Sequence, residues 1–392
     1  VRADRPESGR GRNAAWAVAA AAALPVVAEV RVARTEQPLT EQWRRAPVRK
    51  RGSTRLGISF RPRQAEAMGL DLRESLDRLL EHPFEVIRLG AYWNRLEPEP
   101  GAFRPEELDW QVDAAERAGK QVIISVGAVK NFGYPEYFVP DHVLDSPLRE
   151  GALVVPDAQG PLLAGATAVI NRVVERYRDR GSVIAWQVEH EAVDPLGMEH
   201  SWRLATAFVR REVETVRIAD PTRPVMLNGF LPTSLPVGAQ QWWRTRDQGD
   251  SLAVAQLLAD IVGIDFYPRH AVAGTRGRAV YLAGSRSPWQ QRVRRSLFEW
   301  ASLERSRAVM VSEGQAEPWE TITDPPNPFA AAAYSCRPEH LIENYNQCMS
   351  WNDGAPTRLS AYLFWGAEYW LARERDGDPR YLAAFSRVLA ES

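Results

Sequence analysis

From Thr54 onward, short apolar runs alternate with longer stretches in which apolar positions return at helical spacing. The runs fall at 56–60, 86–90, 121–126, 183–188, 224–227, 261–266, 308–312 and 360–365, and each has the length and character of a buried strand. Helical patterns lie between them at 72–80, 105–118, 164–177, 201–218, 251–258, 289–303 and 339–349, and a last one at 379–390 closes the chain. Pro105 opens its helix as a first-turn residue, and Gly119 follows it where a helix-ending glycine belongs. Strand and helix alternating eight times predict an α/β fold, a (β/α)8 barrel, over residues 54–392. The surplus length over a minimal barrel predicts extended loops at the carboxyl face. It lies after the third strand, at 130–161, and after the seventh, at 318–335. A doubly wound sheet is disfavoured because no glycine-rich phosphate loop follows the first strand.

The first 53 residues follow a different pattern. Arg2, Arg5, Arg10 and Arg12 precede an apolar run at 14–28, which Glu29 and Arg31 end. That is the layout of an export signal, so residues 1–34 are read as a signal peptide or signal anchor. The run is short for a full membrane span, and Val26 and Ala28 suit a cleavage point. The expectation is an exported protein, secreted or tethered through 14–28 on the outer side of the membrane. Residues 35–53 are polar, arginine-rich and aperiodic, and read as a linker.

Composition narrows the function. A net charge of −1 gives no basic footprint for nucleic acid. Cys336 and Cys348 are the only two cysteines, and a predicted helix separates them beyond disulfide reach. The six histidines show no ligand spacing, so no metal or other cofactor is expected. Fourteen tryptophans are many for this length, and indole faces serve as platforms for sugar rings.

Two strand-like runs end in glutamate: VIAWQVEHE at 183–191 and AVMVSEGQAE at 308–317. Five segments in order resemble the clan of retaining glycoside hydrolases on (β/α)8 barrels, the cellulase- and β-galactosidase-like enzymes. These are IRLGAYWNRLEPEPGAF at 87–103, WQVEHE at 186–191, GIDFYP at 263–268, SEGQAEPW at 312–319 and LFWG at 363–366. The resemblance implies an acid/base on strand 4, Glu191, and a nucleophile on strand 7, Glu313. It implies a carbohydrate substrate whose β-glycosidic bond is cleaved by double displacement, and Trp365 beneath the sugar that is cleaved. Arg88 and Tyr267 are expected to favour the Glu313 anion, whose charge in turn raises the Glu191 pKa. Trp93 and Trp319 are candidates for neighbouring subsites or for rim packing. Glu189 and Glu317 compete for the two catalytic positions; strand alternation puts Glu189 on the side of Glu191, deeper in the barrel and bonded to donors such as arginine or backbone groups, and Glu317 falls in the rim loop. The departure is His190, where the clan carries asparagine against the sugar 2-hydroxyl. A histidine can donate the same bond but can also charge. It leaves open a second class, a non-hydrolytic carbohydrate-binding or scaffold protein on a degenerate barrel.

Overall fold

The computed structural model describes residues 29–34, 38–133, 136–144, 148–194, 202–275, 278–283, 288–318 and 335–392. Trp319, the apolar run at 14–28 and most of the loop after the seventh strand lie outside the described residues.

Eight parallel strands close into a barrel. They are β1 (Arg55–Ser59), β2 (Val86–Gly90), β3 (Gln121–Ser125), β4 (Val183–Gln187), β5 (Val225–Phe230), β6 (Ile261–Phe266), β7 (Ala308–Gln315) and β8 (Ala361–Trp365). Each pairs with its neighbours in sequence, and β8 returns to β1. Strands covered by side chains inside and by helices outside have no solvated face, which is why they read as continuous apolar runs.

The barrel interior changes character along its axis. Val86, Ile123, Ala185, Met226, Met310, Ala361 and Leu363 form a separate apolar plug. Gly57 and Gly263 complete it, because a Cβ at either would strike the side chain of Leu363 or Ser312. Side chains repeat inward every second residue. One step toward the carboxyl end therefore turns Ser59, Arg88, Ser125, Gln187, Asn228, Asp265, Ser312 and Trp365 into the barrel. All eight are buried. This polar ring rests on the plug, and it is the floor of the mouth.

The helices largely follow the sequence pattern. Leu72–Leu80, for example, is capped by the Asp71 carboxylate, which accepts from the N–H groups of Arg73 and Glu74, and it buries Leu76, Leu79 and Leu80. Several expectations need correction. The helix expected from 201 begins at Thr206, because Arg203–Leu204 pairs in parallel with Leu153–Val154 from the long loop after β3. Helices Leu235–Thr245 and Ala367–Arg375 follow β5 and β8 and were not expected; the second buries six consecutive residues, Ala367 to Ala372, so it carries no one-sided period. β7 runs to Gln315, so Glu313 lies within the strand and not beyond its end. Cys336 and Cys348 are buried as thiols.

Upstream of the barrel, Val30–Arg34 forms the edge of a three-stranded antiparallel sheet with Arg278–Leu282 and His270–Thr275, both from the loop after β6. Residues 39–53 lie against the helices Pro338–Met349 and Arg380–Glu391: Trp43 is buried, Asn346 Oδ1 accepts from Arg49 N at 2.8 Å, and Arg380 donates to Leu39 O at 2.6 Å. A segment without apolar period is thus ordered through backbone groups that helix side chains satisfy. No helix among the described residues is long and apolar enough to cross a membrane.

Candidate active site

Glu313 enters the mouth from an irregular point in β7. The β6–β7 register skips from Val311/Ile264 to Glu313/Asp265, leaving Ser312 as an extra residue, and the β7–β8 register shifts over the same interval. A bulge of this kind re-aims a side chain. Here Ser312 belongs to the ring, its Oγ donating to Asp265 Oδ1 at 2.7 Å, and the adjacent Glu313 is buried with it.

Two donors hold the Glu313 carboxylate. Arg88 Nη2 reaches Oε1 at 2.6 Å, and Tyr267 Oη donates to Oε2 at 2.5 Å. Arg88 is itself oriented by Ser59 Oγ at 2.9 Å and Gln187 Oε1 at 3.2 Å. Burial pushes the Glu313 carboxyl up, but the positive charge of Arg88, that of His190 when protonated, and the bonds from Tyr267 and Arg88 outweigh it, and the net shift is downward. Burial, followed by the Arg88 and Lys130 charges, keeps His190 neutral down to about 4. At neutral pH it is therefore Arg88 and Tyr267 that keep Glu313 ionised. The sequence left a charged His190 open, and burial keeps the ring neutral above about 4.

The loop after β4 carries Glu191 in a strained turn. Glu189 and Glu191 both have positive φ, 54° and 44°, a conformation that costs a non-glycine residue roughly 1–3 kcal/mol. The surroundings determine it completely. His190 N donates to Lys130 O at 3.0 Å, Glu191 N to Asn228 Oδ1 at 3.3 Å, and Lys130 Nζ to Glu191 O at 2.8 Å and Asp194 O at 3.0 Å. Gly127 lets the β3 loop approach, since a Cβ there would lie 2.2 Å from Glu189 N.

Strand alternation ends at Gln187, which takes Glu189 off the side of Glu191, while its burial and its backbone donors are as expected. Its carboxylate turns away from the mouth to accept from Val129 N at 3.0 Å and Lys130 N at 2.5 Å, and there it faces the buried Glu212 carboxyl of helix Thr206–Ala219, whose two oxygens accept no donor. Two buried carboxyl groups facing each other favour a proton on one of them. Burial first, then the Glu189 charge, holds the Glu212 carboxyl well above its ordinary range. Below the unfolded carboxyl pKa of about 4.3 both folded and unfolded states keep that proton. As pH rises further only the unfolded state ionises, so the site costs stability until the folded carboxyl also ionises. Glu212→Gln keeps a donor to Glu189 and removes the titration. Urea melts from pH 5 to 8 are expected to show a flatter stability profile for this variant, above wild type at the upper end; parallel profiles would refute the shared proton.

Glu191 is the most accessible of the buried acids, at 8%. Its carboxyl is raised well above the ordinary range, first by burial, then by Asp265, Asp194 and Glu313. The direction matches the expectation, but Asp265 contributes more than Glu313. Asn228 ties the two sides of the site together. Its Oδ1 accepts from Gln187 Nε2 at 3.1 Å and from Glu191 N, and its Nδ2 donates to Asp265 Oδ2 at 2.5 Å and to His190 Nδ1 at 2.9 Å. Because a backbone N–H can only donate, Glu191 N orients the amide. The amide then makes Nδ1 the acceptor and leaves the His190 proton on Nε2.

Trp365 meets Phe132, Phe230 and Tyr267 in one aromatic cluster at the mouth, with Arg61 4.2 Å from its ring centre. Trp93 lies elsewhere: it is 1% exposed, donates to Glu97 at 3.0 Å and packs against Gly165. Glu317 is not a rim residue either, since Arg61 binds it in a buried pair. Glu136, from the loop after β3, has φ 80° and a buried Oε2 that accepts no bond. Its carboxyl is pushed up to about 8 by burial, with Lys130 opposing and Glu313 adding to the shift. His190, Asp265 and Glu313 bring one ligand atom each within 4.8 Å. A cation there would displace Arg88 from Glu313 and Asn228 from the other two, so the donor set does not favour a metal.

No protein-family model matches the sequence, and no curated protein sequence does. Among solved structures, GH5_18 from Streptomyces cattleya in complex with GlcNAc superposes with a TM-score of 0.53 at 17% identity, over 81% of this chain and 71% of that one. Native xylanase 10B from Thermotoga maritima superposes with a TM-score of 0.50 at 14% identity, over 87% and 96% of the two chains. The chain has the barrel fold of the GH5 and GH10 glycoside hydrolases. On this barrel the two glutamates anticipated from sequence share one mouth with Arg88, His190, Tyr267 and Trp365. Gln187, Asn228, Asp265 and Lys130 were not anticipated. The first three could have been found from strand parity, one step past the apolar plug.

Proposed function

We propose that the protein is a retaining glycoside hydrolase that cleaves β-glycosidic bonds of an oligo- or polysaccharide. The observation that carries this reading is the opposite treatment of two carboxyls in one mouth. Glu313 is held ionised by Arg88 and Tyr267, and Glu191 is held protonated by burial and neighbouring acids. Glu191 protonates the glycosidic oxygen while Glu313 attacks the anomeric carbon. Glu191, then ionised, takes a proton from the water that opens the glycosyl ester. His190 Nε2–H serves as the donor to a sugar hydroxyl that the clan obtains from asparagine, and Trp365 is the platform.

The charge of the cleft supports a neutral substrate. Among the described residues the charges that oppose Glu136, Glu191 and Asp265 are those of Arg88 and Lys130, and Arg88 is already paired with Glu313, so a uronic acid would add an uncompensated anion. The basic residues before the 14–28 run support export.

The test is hydrolysis of aryl β-glycosides and β-linked neutral oligosaccharides, followed by proton NMR of the first-formed sugar. The expected product is the β-anomer, mutarotating later. An initial α-anomer overturns retention, and sugar binding without turnover on any substrate selects the carbohydrate-binding alternative.

A further inference from the structure

The mouth holds a third carboxyl that a two-carboxylate mechanism does not use. Asp265 is fully buried, and among the described residues no guanidinium or ammonium group pairs with it. Ser312 Oγ donates to Oδ1 at 2.7 Å and Asn228 Nδ2 to Oδ2 at 2.5 Å. Glu191 is held at the same point by the Asn228 amide, whose Oδ1 accepts from Glu191 N at 3.3 Å while its Nδ2 donates to Asp265, and this sets the Glu191 carboxyl and the Asp265 carboxyl against each other with no cation between them. Neither side can donate unless one is protonated. The other charged or titratable groups facing Asp265 are His190 from the β4 loop, Glu313 on β7, Arg88 on β2 and Tyr267 beyond its own strand. Arg88 is already committed to Glu313, Gln187 and Ser59, and His190 Nδ1 is occupied by Asn228.

From this geometry we propose that Asp265 is a positioning residue that holds the acid proton of Glu191, so that the acid/base of this enzyme is a carboxyl pair sharing one proton. The proposal rests on the reading of Glu191 as acid/base. In the first step the proton leaves the pair for the glycosidic oxygen as the C–O bond breaks and the Glu313–C1 bond forms. The Glu313 charge is consumed in the ester, and Asp265 stays ionised on its two neutral donors. In the second step water attacks C1, its proton returns to Glu191, and the bond to Asp265 re-forms as Glu313 is released. Asp265 thus keeps the proton on the pair while Glu313 is an anion. Once the ester has formed, Asp265 no longer faces that second negative charge. Burial first, and then the Glu313 charge, holds the Asp265 carboxyl well above its ordinary range, in agreement with a shared proton.

Asp265→Asn replaces the carboxylate by an amide that donates to Glu191 and so favours its anion. The direct measurement is carbon-13 NMR titration of protein labelled at the glutamate side-chain carboxyl, with the Glu191 signal assigned by its loss in Glu191→Gln. In Asp265→Asn the Glu191 midpoint is expected to move down by about one pH unit or more. Ser312→Ala, which removes a donor from the Asp265 anion, should move it up. An unchanged midpoint in whichever variant folds overturns the proposal. Kinetics adds a second readout that a structural defect would not mimic. For glycosides with poor leaving groups, kcat/KM should fall about 10- to 100-fold at pH 7 and its alkaline limb should move to lower pH, whereas activated aryl glycosides should be nearly unaffected. Equal loss on both substrate classes also overturns it. A wild type that turns over neither class would defeat the glycosidase reading, and the Glu191 titration would still decide the role of Asp265.

Discussion

Glu313→Ala should lose hydrolysis by a factor on the order of 10⁴–10⁶, comparable to the loss when a nucleophile is removed from an otherwise intact site. The fold should survive, because Arg88 keeps Ser59 and Gln187 as partners and Tyr267 stays packed in the aromatic cluster. Azide at high concentration should restore turnover by attacking the anomeric carbon from the vacated side. With an activated aryl β-glycoside the product should be the α-glycosyl azide. Glu191→Ala should behave differently: poor leaving groups suffer most, and azide rescues the second step to give a β-glycosyl azide. This pair of stereochemical outcomes assigns the two roles separately. Activity that survives Glu313→Ala would remove this residue from the chemistry, and the competing Glu317 would be the next to test. The structure already weighs against Glu317, whose two oxygens are both taken by Arg61.

The largest stability effect is expected at Arg61. Its guanidinium binds Glu317 through Nη1 at 2.7 Å and Nη2 at 2.9 Å, and Glu368 through Nε at 2.8 Å, while its backbone N–H donates to Glu368 Oε1 at 2.5 Å. All three side chains are at most 1% exposed. Burial would lower the Arg61 pKa, but the two carboxylates more than offset it and the net direction is upward. The triad joins the residues that follow β1, β7 and β8 and supports Trp365 from below. Arg61→Met keeps most of the volume but leaves two buried like charges facing each other. Breaking a buried pair in this way costs about 3–5 kcal/mol, so the urea midpoint should fall by that amount divided by the m-value. Burial holds the Glu368 carboxyl above its ordinary range, and its protonation relieves the repulsion, so the deficit should be smaller at pH 5 than at pH 8. A loss below about 1 kcal/mol, the range of exposed pairs, would show that water reaches the triad. Trp365 would then lack a rigid support.

Much of this protein is legible in its residue order. Strands buried on both faces must be apolar throughout, and helices packed on one side must repeat at 3.6 residues. The eight units, their order and most of their bounds were therefore readable without coordinates. The two glutamates stood out for the same reason, as charges at the ends of apolar runs. The segment 39–53 was not legible as structure, because it is ordered by hydrogen bonds from Asn346, Arg380 and other helix side chains and not by an apolar period of its own.

What tertiary structure alone decided is which polar groups meet, and in what protonation state. Asn228 and Asp265 look like ordinary polar residues inside β5 and β6. They become part of the centre because strand parity turns them into the barrel and closure brings β4, β5, β6 and β7 together. His190 is neutral because burial outweighs its carboxylate neighbour. Glu189 leaves the mouth because the turn after β4 has positive φ, which breaks the alternation a straight strand would impose. A sequence fixes the period of each strand and helix locally, through backbone sterics and the need to bury apolar surface. The pKa of a carboxyl depends on desolvation and on charges a few ångströms away, and those neighbours come from remote parts of the chain that only the closed barrel assembles.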